Sequence, residues 1–187
     1  LLGSDKINLL SPAAVSSIKA TEEGMQLRLQ HGDSDAIVDT SLVVLADGGK
    51  SPVCEQLGIS QSIERYDQHA LIANIVFEKL HSNIAYERFT DTGPLAILPL
   101  QAIDGMNRGS LVWTLSVEQA AEFRGMNEEQ LLSLLQERFG FKLGKITNIG
   151  ERFVYPLSLS LAKEQVRPGL ALLGNVAHTL HPVAGQG

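Results

Sequence analysis

Three groups of residues in this chain have the types and spacing to do chemistry. The first is GNVAHTLHPVAGQG, residues 174–187, which follows an apolar run over 170–173. Gly174, Gly185 and Gly187 let backbone approach a ligand closely or take positive φ, and Pro182 stiffens the loop between them. A buried strand opening into such a loop suits a flat or anionic ligand held against bare peptide groups. The second group is Asp47, Gly48, Gly49, Lys50, Ser51 and Pro52, after the β-rich apolar run 42–46, which reads as strand then turn. Taken singly, both loops also read as ordinary turns, because short motifs match often by chance. The third group is histidine and cysteine. His178 and His181 lie three apart, but a zinc site needs three or four ligands. The single cysteine, Cys54, has no partner at ligand spacing, so no metal is expected. Cys54 reads as a small buried hydrophobe, His181 as a loop residue fixing backbone, and His69 and His81 as surface residues.

These groups must be positioned by the elements around them. Residues 14–20, 25–30, 36–39 and 42–46 read as strands of a small antiparallel meander, separated by turn residues such as Glu23-Gly24 and His31-Gly32. A second region begins near Tyr66, with strands expected over 71–77, 85–90, 95–100 and 110–115. Asp104-Gly105 and Asn107-Arg108-Gly109 are expected in the tip between the last two. Asn127 caps a helix that Gln130 completes as a capping box, with Met126 and Leu131 as staple. Leu131, Leu134, Leu135 and Phe139 form its core stripe, and Gly140 closes it. A shorter helix over 117–123 follows the cap Ser116. Pro168-Gly169 then turns the chain into the strand 170–174. In Pro94, Leu95, Ile97 and Pro99, a proline-framed strand with few polar groups, we expect a wall for an apolar substrate; an ordinary core strand with edge prolines fits the same residues. Trp113 is expected to pack under the same sheet.

Composition limits the alternatives. At 187 residues, 44% apolar and 19% charged, the chain belongs with folded globular proteins. A net charge of −6 is the wrong sign for a surface that tracks nucleic-acid phosphates. No apolar run reaches the roughly 20 residues of a spanning helix. The chain starts at Leu1 without Met, so it reads as a piece of a longer protein.

The two glycine loops together resemble the class A flavoprotein aromatic hydroxylases, whose C-terminal signature runs G-D-A-A-H, a spacer, then P-x-x-G-Q-G. Gly174, Ala177, His178, Pro182, Gly185, Gln186 and Gly187 fall at its spacing, and Asn175 replaces the usual aspartate at the FAD ribose. Asp47, Gly48 and Ser51 match the family's D-G-x-x-S-x-x-R motif, with Cys54 in place of the arginine. Within that family ADGGKSPVCEQLGI, ERFTDTGPLAILPL, LGKIT and YPLSL are most similar to the ubiquinone-pathway hydroxylases. The resemblance implies an α/β (α+β) fold, a fragment of a two-domain FAD-binding monooxygenase in which an antiparallel substrate sheet with helix is inserted in a flavin domain. The corresponding boundaries are 1–63 and 158–187 for the flavin domain and 64–157 for the substrate domain. It implies FAD held by Asp47, Gly48, Gly174, Asn175, Pro182, Gly185, Gln186 and Gly187, and NAD(P)H as electron donor. O2 and a polyprenylated phenol are the implied substrates, in a cytoplasmic protein peripheral to the inner membrane and associated with a ubiquinone-biosynthesis complex. A lipid dehydrogenase or reductase of the same fold, or a non-catalytic assembly module, fits the same motifs. No residue emerges as the catalytic base.

Overall fold

Period-two alternation organises the N-terminal stretch into three antiparallel strands, β1 (Ala14–Ala20), β2 (Met25–His31) and β3 (Ser34–Thr40), in the order β1-β2-β3. Register runs from Met25 opposite Thr40 to His31 opposite Ser34, so Met25 and Ile18 turn inward while Ile37 and Val38 stay exposed on the edge strand. The computed structural model describes residues 5–32 and 34–185. Two compact units divide them: one holds the described residues up to Glu64 with Leu159–Leu180, the other Arg65–Ser158 and the chain from His181.

The first unit continues through β4 (Val43–Leu45) and a five-residue helix, α1 (Pro52–Gln56), that the sequence pattern is too short to signal. The chain then enters β5 (Gln61–Phe77), which contributes residues to both units. In the second unit β6 (Tyr86–Thr90), β7 (Gly93–Ile103) and β8 (Met106–Ser116) follow as an antiparallel meander. The turn between β7 and β8 is the two residues Asp104-Gly105, both at positive φ, as a tight hairpin requires. Asn107, Arg108 and Gly109, expected in the tip, are instead paired in β8 against β5, because a two-residue turn leaves them in register with the ladder.

Helix α2 (Val117–Gly125) starts at Ser116 and α3 (Glu128–Phe139) at Asn127. The full capping box closes at α2: Gln119 N–H donates to Ser116 Oγ and Ser116 N–H to Gln119 Oε1, both at 3.2 Å. At α3 only the first half is found among the described bonds, Gln130 N–H to Asn127 Oδ1 at 2.9 Å. Gly140 ends α3 at φ +82°. Arg152 donates to the carbonyls of Phe123, Arg124 and Met126, satisfying the open end of α2 with a cation.

Strands β9 (Ile146–Ile149) and β10 (Phe153–Ala162) complete the second unit's sheet, whose order is β10-β5-β8-β7-β6 with β9 also on β5. Leu71, Ile75, Leu95, Ile97, Leu111 and Trp113 face one side and meet Phe123, Leu131, Leu135 and Phe139 in a single core. Trp113 is fully buried, its ring centroid 5.1 Å from that of Phe123 and its Nε1–H donating to Thr92 Oγ1 at 3.2 Å. His69 and His81 are half-buried rather than fully exposed. His69 lies half-buried on β5 opposite Leu115, and His81 is fixed between the Leu100 carbonyl and Asn83 N–H.

The chain returns to the first unit through β11 (Val166–Arg167), β12 (Leu170–Leu172), a 3₁₀ turn (Gly174–Val176) and β13 (His178–Thr179), which pairs with the end of β10. A second 3₁₀ turn, Val183–Gly185, follows in the other unit. The strand expected over 170–174 thus stops at Leu172, because Gly174 takes φ +70° and breaks the ladder.

Candidate functional site

In the first unit β4 and β12 run parallel, with Val43 opposite Leu170 and Leu45 opposite Leu172. Leu173 N–H donates to Leu45 O at 2.9 Å, closing the last rung. Both strands therefore release their loops at the same end, and the Asp47-Gly48 and Gly174-Asn175 segments emerge side by side. Carboxyl ends of parallel strands are where α/β folds bind ligands. Gly48 sits at φ +94° and Gly174 at φ +70°, and at either one a β-carbon would meet nothing within 4 Å. Glycine is therefore required for conformation, and the peptide beside it stays open to approach. A β-carbon on Gly49 would stand 3.9 Å from the Asn175 carbonyl, which measures how near the two loops lie.

The remaining motif residues hold these loops. Ser51 Oγ–H donates to Asp47 Oδ2 at 2.7 Å, and Ser51 Oγ accepts from Cys54 N–H at 3.2 Å as the N-cap of α1. The aspartate, serine and helix are thus one hydrogen-bonded chain. Cys54 is buried in the core of this unit, and burial is the main cause pushing its thiol pKa up. At the other loop, Gln61 Nε2–H donates to Val176 O at 3.1 Å while Ala162 N–H donates to Ala177 O at 2.9 Å. Val176 and Ala177 are buried, whereas Asn175 and His178 are exposed. Gln61 carried no sequence signal; a lone glutamine in a strand announces no partner more than a hundred residues away.

In the second unit His181 builds the start of the proline loop. Its Nδ1 accepts from Val183 N–H at 3.2 Å, and Nε2 faces Gln68 Oε1 at 3.2 Å. An acceptor at Nδ1 places the proton of the neutral ring on Nε2, which donates to the glutamine. Tyr66 stacks edge-on at 5.4 Å, and burial lowers the His181 pKa. Gly185 N–H donates to Pro182 O at 3.1 Å, and Gly185 is exposed at φ +63°. Gln186 and Gly187 lie outside the described residues.

The four wall residues on β7 divide. Leu95 and Ile97 are 0% and 1% exposed in the core, so they form no surface wall. Strand alternation is the reason: side chains at 95, 97 and, by the same parity, Pro99 point away from the face that carries Pro94 and Ala96. That opposite face, with Val112, Thr114, Pro182 and Val183, lines a narrow cleft. Cross-strand partners extend it as rows: Glu87, Ala96, Val112 and Ile72 in one, Phe89 and Pro94 in the next. The run from Pro94 to Pro99 is apolar on both faces and shows no alternation, so its sequence does not tell which of its residues face outward.

Within the first unit, the open glycine peptides at the strand ends and the exposed amide at Asn175 have the chemistry to take a dinucleotide. Among the described residues no three His, Cys, Asp or Glu are grouped to hold a metal ion.

Comparison with known proteins agrees. Residues 8–187 match the FAD binding domain family. The ubiquinone hydroxylase UbiL of Rhodospirillum rubrum is 38% identical over 179 residues, 96% of this chain and 40% of that protein. The 3-demethoxyubiquinol 3-hydroxylase of Escherichia coli is 33% identical over 97% of this chain and 44% of its own length. The chain therefore spans less than half the length of these relatives. Among solved structures, the flavin-dependent halogenase CmlS superposes with a TM-score of 0.68 at 16% identity, covering 94% of this chain and 32% of CmlS. At that identity the likeness speaks for the fold.

Proposed function

Since the chain belongs to the FAD binding domain family, we propose that the full-length protein is an FAD-dependent monooxygenase that hydroxylates the ring of a polyprenylated phenol in ubiquinone biosynthesis. The observation that carries this reading is the pairing of β4 with β12, which brings the Asp47-Gly48 and Gly174-Asn175 loops to one strand end. The names of the relatives and the ubiquinone-hydroxylase wording of the sequence support the pathway. Within that pathway the wording favours a hydroxylase of the 2-octaprenyl-6-methoxyphenol type.

Bound FAD supplies the redox and oxygen-activating chemistry, drawing electrons from NAD(P)H. This chain's residues bind and orient. Gly48 and Gly174 offer peptide groups to the cofactor's phosphates and ribose, and Asn175 gives the ribose one neutral acceptor in place of a carboxylate. Asp47 acts chiefly by anchoring Ser51, so its contact with the cofactor runs through the loop backbone. The described part of the proline loop, Pro182 to Gly185, would offer its peptides to the flavin ring. The apolar face of Pro94, Ala96, Val112 and Ile72 receives the substrate ring and keeps water from it, and water exclusion protects a reactive oxygen donor from hydrolysis. No helix among the described residues is long and apolar enough to cross a membrane.

The test is anaerobic reduction of the full-length holoprotein by NADH or NADPH, followed by oxygen and a prenylated phenol. Oxygen uptake matched by hydroxylated product is expected. Reduction followed by substrate dehydrogenation without oxygen incorporation, or a protein that never takes up FAD, overturns the reading.

A further inference from the structure

We propose that Gln68 and His181 are a positioning pair that sets the conformation of the proline loop for FAD, an inference that rests on the cofactor reading above. Gln68 and Tyr66 stand two apart on β5, so both project from one face of the strand. His181 meets them there: Gln68 Oε1 lies 3.2 Å from its Nε2, and the Tyr66 ring stands edge-on at 5.4 Å. The other ring nitrogen holds the loop. Nδ1 accepts from Val183 N–H at 3.2 Å, and Val183 opens the turn that Gly185 N–H closes onto the Pro182 carbonyl. All of these residues belong to the second unit.

Both contacts constrain the same proton. A backbone N–H can only donate, so Nδ1 has to be bare. The neutral ring then carries its proton on Nε2, where Gln68 supplies the acceptor. Without that acceptor the tautomer with Nδ1–H competes, and Val183 N–H meets a donor. Protonation of the ring has the same effect at Nδ1, so the hold on the loop depends on a neutral His181. The surroundings favour that state, since burial lowers the ring's pKa. On β5 the charged residues Arg65 and Asp67 alternate with Tyr66 and Gln68 and are exposed on the opposite face. On β8 the residue opposite Gln68 is the uncharged Ser116, and Pro182, Val183 and Gly185 bring no charge from the loop. Tyr66 is the titratable group that touches the ring. A carboxylate at position 68 would reverse this balance, because an opposite charge beside Nε2 favours the charged ring.

The test strips the full-length protein of FAD and titrates it with FAD across the acid range, in the native chain and in Gln68→Glu, Gln68→Leu and His181→Asn. Native affinity should fall about tenfold as pH drops through a midpoint below about 6.5, the ordinary histidine value. Gln68→Glu should move that midpoint up by about one pH unit. Gln68→Leu should bind FAD about tenfold more weakly at neutral pH, the effect of one lost hydrogen bond. His181→Asn places an untitratable acceptor two residues before Val183, as an Asx turn does. It should keep native affinity at neutral pH and lose the acid step, a rescue that ring packing alone would not give. Other titrating groups are common to all four proteins, so differences between them isolate the ring. A midpoint shared by the native protein and Gln68→Glu, native affinity in Gln68→Leu, or an acid step that persists in His181→Asn would overturn the pair. Thermal unfolding shows which variants are folded, and if one Gln68 variant is not, the other decides. A protein that takes up no FAD at any pH would sink the cofactor reading and the pair with it. The expected pH steps without hydroxylation of any phenol would leave the pair standing and sink the monooxygenase reading alone.

Discussion

The two candidate regions, one in each unit, are built on opposite principles. In the first unit, glycines at strand ends, a three-residue chain from Asp47 through Ser51 to Cys54 and one parallel strand pair do the positioning. In the second, no motif marks the outer face of the sheet. It exists because β6, β7, β8 and β5 alternate in register, sending Leu95, Ile97 and Trp113 into the core and Ala96 and Val112 out. A loop half tolerates changes in its surroundings but not in its glycines; a sheet half depends on parity, so adjacent residues have unrelated duties.

That contrast is sharpest on β7. Ile97→Ala should cost about 2–5 kcal/mol of stability, because the cavity opens in a fully buried core. Chemical denaturation would measure it, and a loss below about 1 kcal/mol would mean the assigned parity is wrong. In the loop half, Gly174→Ala forces a β-carbon into left-handed backbone at φ +70°, at a cost of about 1–2 kcal/mol. FAD affinity of the full-length protein should fall about tenfold with it, since 1.4 kcal/mol is a factor of ten. Equilibrium titration that finds native affinity would remove this loop from the cofactor site. Ser51→Ala removes the α1 N-cap and the partner of Asp47, and a loss of about 1 kcal/mol is expected in thermal or denaturant unfolding.

Next to Ile97, Ala96 is half-buried on the opposite face, so Ala96→Leu should cost no more than about 1 kcal/mol, the centre of the range for single substitutions. It should raise KM for a prenylated phenol without changing the rate of flavin reduction. Equal KM values in the two proteins would show that the substrate lies elsewhere.

The smallest effect concerns pH. Burial lowers the His181 pKa, so between that lowered value and the ordinary one near 6.5 the unfolded chain binds more protons than the folded one. Stability from this residue is complete above about 6.5 and is lost as pH falls through the window. Protonation at Nδ1 would also remove the acceptor for Val183 N–H. The difference in Tm between the native protein and His181→Gln should therefore shrink as the pH is lowered from 7.5 to 5; a constant difference would contradict it.

Much of the loop half was legible from residue order. Strands ending in Asp47-Gly48 and Gly174-Asn175 follow from apolar runs meeting glycine, and Asn127 and Ser116 announced their helices. The misses share a physical cause: they depend on partners distant in sequence. The stretch from Pro94 to Pro99 is apolar at nearly every position, so nothing local says which side chains face the core, and the wall was assigned to Leu95 and Ile97. α1 is too short to show a helical period. β9 and β10 gain their strand conformation from β5, on which β9 pairs through Ile75 opposite Ile149. The completed box at α2 rather than α3 shows that two similar caps need not close alike.

The sequence by itself pointed to the cofactor class through the resemblance of its two glycine loops, in order and spacing, to a flavoprotein family, because glycine is written wherever backbone must turn left-handed or lie bare. Only the tertiary structure decided that the two loops leave one strand end together, that Cys54 is sealed in a core, and that Ala96, Val112 and Glu87 form the open face while Leu95 and Ile97 do not. Those outcomes rest on strand register and parity, which are set when distant segments pair.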